Sequence, residues 1–436
     1  MNRSFLCRGS VALATAVLLV GLAQFGAVAP ALASTSSPLP PGTHFFTPAS
    51  GSGALKQIAQ LLVKHDAKDA GLIAGEVATP QAVWFTKGTS TQVKQSVRTT
   101  ALESSLTKTV PTLVVYNVPG RDCSQYSSGG AGSDAAYQAW VSGFAAGLIK
   151  NQRVVVIVEP DGLANLPSDC PAAYPGQDVA AITAGRIADI KYAGQVITKA
   201  DPMALVYLDA GHSAWHSVAD MTARLEAAGV ANVQGFSLNV SNYQYTQNLE
   251  EYGSWITDCI AYTTSVEVGD TGNCGDMYWS GGPANNWTGV ALSPNGQWST
   301  TATDPTLNTA GIDSRYASIL GSTQPTAHYV LDTSRNGKGP WTPAVSSSYP
   351  DPQTWCNPPG AGLGARPQAD PTPTTYPLLD AYLWVKTPGQ SDGQCNRGIA
   401  GSTTDPEWGG TVDPAAGDWF PQQALQLAQN AVPALH

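Results

Sequence analysis

The side chains of this chain best suited to chemistry are carboxylates, and they recur in one local setting. Short apolar runs end directly in ionisable or amide residues. Tyr116 to Asp122 close the run Thr112–Val118, Glu159-Pro160-Asp161 follow Arg153–Val158, and Asp209-Ala210-Gly211-His212 follow Ala204–Leu208. Further on, Asn239 to Asn242 follow Val233–Leu238, Asp332 to Asn336 follow His328–Leu331, and Lys386 to Asp392 follow Ala381–Val385. A single Asp or Asn after a strand is ordinarily an N-cap or a turn residue. Its repetition at every junction argues for one shared site.

Several chemistries are disfavoured by what is missing from that set. His212 and His216 are spaced i, i+4, but no Glu follows His212 as in HExxH, so a helical metal pair is not expected. The cysteines are expected to be paired rather than nucleophilic, and a Cys/His zinc site would need a close CxxC spacing that the chain lacks. What remains is carboxylate chemistry beside aromatic rings. Hydrolysis of a glycosidic bond needs one carboxylic acid to protonate the leaving oxygen. It also needs a second carboxylate to attack or stabilise the anomeric centre, or to activate water. Tryptophan faces suit the apolar faces of sugar rings, and the chain carries 12 of them. No metal or organic cofactor is implied.

The elements that must position these residues read as alternating strands and helices. The β-branched runs are buried strands, and helical patterns lie between the early ones: Ser133–Lys150, with Trp140, Phe144 and Leu148 on one face, Asp178–Lys199, and Trp215–Ala228. That alternation implies a parallel sheet or barrel. In a parallel barrel all the strand ends lie on one face, where active sites are built. Residues 244–310 break the rhythm with a Gly/Asn/Thr/Trp-rich stretch carrying Cys259 and Cys274, which is expected to be a disulfide-pinned loop insertion.

Lys+Arg number 22 against 32 Asp+Glu, a net charge of −10 that argues against nucleic acid or an anionic membrane as partner. With 12% charged and 42% hydrophobic residues the chain is globular rather than disordered. Arg3 and Arg8, the apolar run Val11 to Ala23 and the small-x-small Ala31-Leu32-Ala33 read as a secretory signal over residues 1–33. The run is too short to span a membrane, so a secreted, extracellular protein free of the membrane after signal removal is expected. A short Ser/Pro-rich lead, 34–41, precedes a single catalytic-sized domain, 42–436. Cys7 leaves with the signal and six cysteines remain, which favours three disulfides in an oxidising compartment. Fifteen connectivities exist, and proximity in sequence favours Cys123–Cys170, Cys259–Cys274 and Cys356–Cys395. The sequons at Asn239 and Asn286 are read as chance occurrences.

Seven segments carry a family resemblance: VVYNVPGRDCSQYSSGG (114–130), VVVIVEPDGL (154–163), VYLDAGHSAW (206–215), GFSLNVSNY (235–243), LDTSRNGKGPW (331–341), WCNPPGAGLGARP (355–367) and LWVKTPGQSDG (383–393). Together they resemble glycoside hydrolase family 6, secreted endoglucanases and cellobiohydrolases that cleave β-1,4-glucan. The ordered match covers most of residues 80–430, including the late DWFPQQALQLAQNA. It implies an α/β fold, a distorted and incompletely closed parallel β/α barrel of TIM-like kind, and an inverting mechanism. By the same resemblance Asp161 is the general acid, and Asp122 the neighbouring carboxyl that influences its protonation. Tyr116 presses on the sugar at the cleavage point, Ser128 helps hold a water, and Asp392 is the proposed base. Trp84, Trp215 and Trp355 match subsite aromatics; His212, Asn239, Arg335 and Lys386 match polar groups around the sugars; Asp209 and Asp332 match supports behind them. Cys123/Cys170 and Cys356/Cys395 fall where the family closes loops over the cleft, whereas Cys259/Cys274 has no general counterpart.

Two departures from the family pattern stand out. Gly162 replaces the usual Ser or Ala after EPD and is expected to loosen the acid's loop. Gln390 replaces a frequent Glu, removing a charge near the sugar while keeping hydrogen-bonding capacity. The short disulfide-closed loops favour an endoglucanase over a cellobiohydrolase, although Trp279, Trp287 and Trp298 of the insertion are candidates to cover or extend the cleft. The rival from another class is a catalytically silent glucan-binding protein, against which the gathering of Asp122, Asp161 and Asp392 speaks. The expected partner is a β-1,4-glucan or cello-oligosaccharide, and the expected state a monomer.

Overall fold

Strands covered on both faces read as unbroken apolar runs, and here alternate residues of each strand enter two different cores. Leu113, Val115, Val154, Val156, Val158, Val206 and Leu208 face the helical layer. Val114, Tyr116, Val155, Ile157, Leu205, Tyr207, Val330 and Leu383 fill the inside of the curled sheet. The structure is a computed structural model, and it describes residues 36–277, 290–344 and 349–435. The signal reading over 1–33, together with Trp279, Trp287 and the Asn286 sequon, lies outside the described residues.

The order along the chain is α1 (Ser52–Val63), α2 (Ala67–Ala78), β1 (Val83–Phe85), α3 (Ser90–Thr107), β2 (Thr112–Val115), α4 (Asp134–Gly147), β3 (Val154–Val158) and α5 (Val179–Ala200). Then follow β4 (Ala204–Asp209), α6 (Val218–Ala227), β5 (Gly235–Leu238), α7 (Thr246–Ser265), α8 (Ala310–Leu320), β6 (His328–Asp332), β7 (Gln368–Ala369), β8 (Leu379–Leu383) and α9 (Pro421–Gln429). The strands form one sheet in the order β1-β2-β3-β4-β5-β6-β8-β7, parallel except for the short antiparallel β7. Its ends approach each other, because Ala82 N donates to Trp384 O at 2.9 Å and Trp84 Nε1 to Val385 O at 2.8 Å. No ladder joins β1 to β8, so the barrel curls without closing. This is the expected distorted, open α/β barrel.

Local chemistry starts the helices where the sequence pattern places them. Ser133, Asp178 and Ser217 each accept a backbone N–H two residues into α4, α5 and α6, the usual satisfaction of an orphan donor. Thr89 and Gln92 form a capping box at α3.

Two expectations need correction. Residues 246–265 are not part of a loop insertion but the helix α7, whose Leu249, Tyr252, Trp255, Ile256 and Cys259 are buried. Its Thr- and Tyr-rich composition has weak helix propensity, so burial of the apolar positions decides the matter. The irregular stretch begins only after it, and the Cys259–Cys274 disulfide ties that stretch to the helix. Trp298 does not cover the cleft: it is 2% exposed and stacks on Trp255 at 5.6 Å. Within the lead, Leu39 is fully buried in the inner core.

The Cys259–Cys274 crosslink closes a loop with a sequence separation of 15. Replacing both cysteines with Ser should lower the unfolding free energy by about 3 kcal/mol, the chain-entropy value for such a loop. Guanidinium unfolding of the double variant checks this; unchanged stability would mean that packing such as Trp298 on Trp255 holds the segment instead.

Candidate active site

Residues held in left-handed backbone cluster at the strand ends. Asp122 (φ +59°), Cys123 (+44°), Glu159 (+51°), Asp161 (+63°), Asn239 (+67°) and Ser241 (+63°) all sit on that face. Such conformations are costly for residues with a Cβ and persist only where the surroundings impose them. Buried carboxylates impose them here. Glu159, just after β3, accepts the backbone N–H of Asn117 (3.0 Å) and Val118 (3.1 Å) beyond β2. Asp209, the last residue of β4, accepts from Asp161 N (2.9 Å) and Gly211 N (3.1 Å) through Oδ1, and from Ser237 Oγ (3.1 Å) through Oδ2. Asp332, ending β6, accepts from Ser334 N and Val385 N on one oxygen and from Ser241 N and Lys386 N on the other.

The carboxylates in the cleft fall into two electrostatic groups. Asp161 is raised well above the ordinary carboxylate range by burial first, then by the charges of Asp209, Asp122 and Asp392. Its Oδ1 is buried without a hydrogen-bond partner. Asp122 is pushed up to about 6 by burial, against the lowering effects of the Ser127 N–H and Arg121. Its Oδ2 accepts from Ser127 N at 2.6 Å, so the carboxyl turns its own loop. Behind them Glu159 and Asp209 are each pushed up to about 7 by burial. Asp392 behaves in the opposite way. Burial alone would raise it, but Arg335 and Lys386 outweigh that effect and hold it below the ordinary value. Its Oδ2 accepts from Arg335 Nη1 (2.9 Å), Asn357 N (3.0 Å) and Tyr243 OH (3.1 Å), and its Oδ1 lies 3.2 Å from Lys386 Nζ.

A cleft of about 350 Å3 brings Asp122, Asp161 and Asp392 together with Trp84, Tyr116, His212, Trp215, Trp355 and Lys386. Trp84 meets Tyr116 edge-on at 5.4 Å, and Trp215 stacks on His216 at 5.8 Å. His212 is pushed down to about 3 by burial and by His216, so it is neutral. Its Nδ1 accepts from Ala214 N at 3.2 Å, which leaves the proton on Nε2. The remaining wall includes Gln125, Ser127, Asn165, Ser241 and Asn242. Spacing could not single these out, because Gln, Ser and Asn are equally common in turns.

Other sequence candidates lie away from the cleft wall. Ser127 lines it, whereas Ser128 is turned out of the lining as its N–H closes a turn onto Gln125 O at 3.1 Å. Asn239 is fully buried and spends its amide on backbone, donating to Asp332 O at 2.9 Å and accepting from Gln244 N at 3.0 Å. That burial also removes it as a glycosylation site. Arg335 is fully buried with its guanidinium 4.4 Å from the Tyr243 ring centre, and it acts on Asp392 rather than on the cavity. Gln390 pairs with Trp419 by backbone and does not line the cavity. Gly162 is not a source of looseness: a Cβ there would lie 2.8 Å from Glu159 O and 3.1 Å from Ile190 Cδ1. Close packing, not freedom, requires glycine. All three pairings favoured by proximity form: Cys123–Cys170, Cys259–Cys274 and Cys356–Cys395.

Comparison with known proteins places this geometry. The model of the family "Glycosyl hydrolases family 6" matches residues 41–431. "Endoglucanase A" of Thermobispora bispora is 31% identical over 357 residues, 82% of this chain and 56% of that protein. A "Probable 1,4-beta-D-glucan cellobiohydrolase C" of Neosartorya fischeri is 30% identical over 340 residues, 74% of this chain and 62% of that protein. The chain therefore spans little more than half the length of these curated relatives. The solved endoglucanase Cel6 of Mycobacterium tuberculosis, in complex with methyl-cellobiosyl-4-deoxy-4-thio-β-D-cellobioside, superposes with a TM-score of 0.60 at 28% identity. That match covers 89% of this chain and 97% of the other.

The Arg335–Asp392 pair is buried on both sides, and removing one partner of a buried pair leaves an uncompensated charge. Arg335→Leu should cost about 3–5 kcal/mol in urea unfolding, and adding Asp392→Asn should recover part of that loss. Simple additivity of the two substitutions would show that the pair is not coupled.

Proposed function

The chain belongs to the glycosyl hydrolases family 6, and on that premise we propose that it is a secreted endo-β-1,4-glucanase that cleaves internal bonds of cellulose or related β-glucans with inversion. The observation that carries the reading is Asp161. It is a carboxyl at the cleft wall, desolvated, crowded by Asp209, Asp122 and Asp392, and with one buried oxygen unpaired. Such a group keeps its proton toward neutral pH, which is what protonating a leaving glycosidic oxygen requires.

The other groups take complementary parts. Asp392, anionic beside Arg335 and Lys386, stabilises positive charge developing at the anomeric carbon. As an acceptor of a proton from water it starts from a depressed affinity. Asp122, at about 6, adds negative charge near Asp161 once ionised and so delays loss of the acid's proton. Tyr116, packed edge-on against Trp84, presents its ring to the sugar at the cleavage point. Trp84, Trp215 and Trp355 offer flat faces to neighbouring rings. Export is supported by the amino-terminal signal pattern and by three disulfides, which persist in oxidising compartments.

An exo-acting cellobiohydrolase is the second reading, favoured by one contact. Tyr126, near the Cys123 end of one disulfide loop, meets Trp355, which immediately precedes the other loop at Cys356, at 5.8 Å and accepts a hydrogen bond from Gln353 Nε2 at 3.3 Å. Loops that touch narrow one end of a cleft. Fragment sizes from cellohexaose separate the readings: mixed products indicate internal cleavage, and cellobiose alone indicates exo action.

Asp161→Asn should lower kcat by about 10^2- to 10^4-fold, the range for loss of a general acid, while leaving cello-oligosaccharide affinity within a few-fold. In the parent enzyme kcat/KM should fall on the alkaline side as Asp161 loses its proton. Proton NMR of the first product should show the α-anomer. Near-full activity of Asp161→Asn, or an initial β-anomer, would overturn the assignment.

A further inference from the structure

Behind the cleft a second carboxylate cluster lies under the loop that carries Asp392. Its centre is Asn357, which holds left-handed backbone (φ +41°) and is fully buried. Asn357 grips Asp392 twice and the following Gly393 once. Its N–H donates to Asp392 Oδ2 at 3.0 Å, its Oδ1 accepts from Asp392 N at 2.8 Å, and its Nδ2 donates to Gly393 O at 2.9 Å. The same Nδ2 donates to Asp413 Oδ2 at 2.8 Å and to Ser391 Oγ at 3.0 Å. Behind the amide, Asp413 accepts from its Nδ2, while Gln423 Nε2 donates to its Oδ1 at 3.3 Å.

Asp413 is 1% exposed, and its Oδ1 has no hydrogen-bond partner. It lies within 4.8 Å of a carboxylate oxygen of Asp405 and of the Cys395 sulfur. That sulfur is committed to the disulfide with Cys356, so the trio lacks the free thiolate a metal would take. The cation of the cluster is Arg397, and it is fully occupied elsewhere. Its Nε donates to Asp405 Oδ1 at 3.0 Å and its Nη2 to Asp405 Oδ2. Its remaining N–H groups go to the carbonyls of Pro352, Gln353, Cys356 and Asn357. Tyr349 and Glu407, bonded to each other, are the other titratable groups near Asp405. Two buried carboxylates thus share one guanidinium, and only Asp405 touches it.

We propose that Asp413 is a positioning residue for Asp392, acting through Asn357, and that it does so in its neutral form, with its proton directed toward Asp405. The inference rests on the reading of Asp392 as a working carboxylate of the cleft. A protonated Asp413 accepts from Asn357 with one oxygen and donates with the other, so both of its oxygens are satisfied. An ionised Asp413 faces the Asp405 carboxylate at close range, and their repulsion displaces the oxygen that holds the Asn357 amide in place. Burial, reinforced by Asp405, pushes the Asp413 carboxyl up to about 7 despite the Asn357 bond. Because the folded value is raised, the stability it contributes is complete below the ordinary Asp value near 4 and is lost as pH rises through about 7.

Asp413→Asn reproduces the neutral form, with an amide N–H for Asp405 and a carbonyl for Asn357; Asp413→Ala removes both. The thermal midpoint of the Asn variant should equal that of the parent at pH 4 and exceed it by about 3–5 °C at pH 8. This comparison needs no substrate. On cellohexaose at pH 5 the Asn variant should retain kcat within about two-fold, and the Ala variant should lose about ten-fold or more in kcat with little change in KM. Parallel pH dependence of the parent and Asn midpoints would overturn the proton assignment. A stable, folded Ala variant with unchanged kcat would overturn the positioning role. Absence of glucan cleavage by the parent would overturn the proposed function on which the positioning role rests, while the midpoints would still decide the protonation state.

Discussion

The site depends on buried carboxylates that hold backbone rather than substrate. Glu159, Asp209 and Asp332 sit at the ends of β3, β4 and β6, and each accepts N–H groups from a neighbouring loop. Together they link the ends of β2, β3, β4, β5, β6 and β8. A parallel sheet leaves these ends to loops whose N–H groups have no ladder partner, and a buried donor without a partner is costly. A carboxylate offers two oxygens with about four lone-pair directions, so one side chain can satisfy several donors. The left-handed residues follow from that geometry: Asp161, Asn239 and Ser241 adopt it because the clamps around them fix where their amides or carbonyls must point. The strain at the reactive end is sustained by hydrogen bonds that also aim Asp161 into the cleft.

Charge is divided across the cleft by the same means. On the side of β2 to β4 no cation among the described residues pairs directly with Asp161, and it rises together with Asp122, Glu159 and Asp209. On the side of β6 and β8, Arg335 and Lys386 converge on Asp392 and keep it ionised. The two groups are of one residue type, and environment alone sets their opposite protonation. Desolvation without a counter-charge keeps a carboxyl neutral, and desolvation with two counter-charges keeps it anionic.

Much of this was legible in the sequence, for identifiable reasons. The strands covered on both faces are continuous β-branched runs, so their positions and the polar residues after them stand out to within a few residues. The cleft carboxylates and tryptophans could be gathered because a parallel fold brings strand ends to one face. What escaped was orientation. Asn239 and Arg335 have the right chemistry for sugars, but neighbouring backbone and Asp392 claim it first. Of two adjacent serines, the turn closed by Asp122 selects Ser127. The helix α7 was hidden by Thr and Tyr, whose modest helix propensity is overridden by packing of its buried face. Trp298 looked like a cleft cover because composition cannot tell a platform from a core residue, and its stack on Trp255 decides it.

The division of charge also ties the fold to the conditions under which the site can act. Glu159 and Asp209 near 7, and Asp122 near 6, all have folded values above the ordinary carboxylate range. Each therefore contributes stability that is complete below about 4 and is lost as pH rises through its own raised value. Asp161 is raised by the same burial, so it and the clamps titrate in the same direction. A clamp that loses its proton remains an acceptor, but it then adds a buried charge beside Asp161. Ionisation of Asp161 and of the carboxylates behind it is thus coupled through the charges they place beside one another at the open end of the barrel. Arg335 and Lys386 spare Asp392 from this coupling, which leaves the anionic side of the cleft the more constant of the two as pH changes.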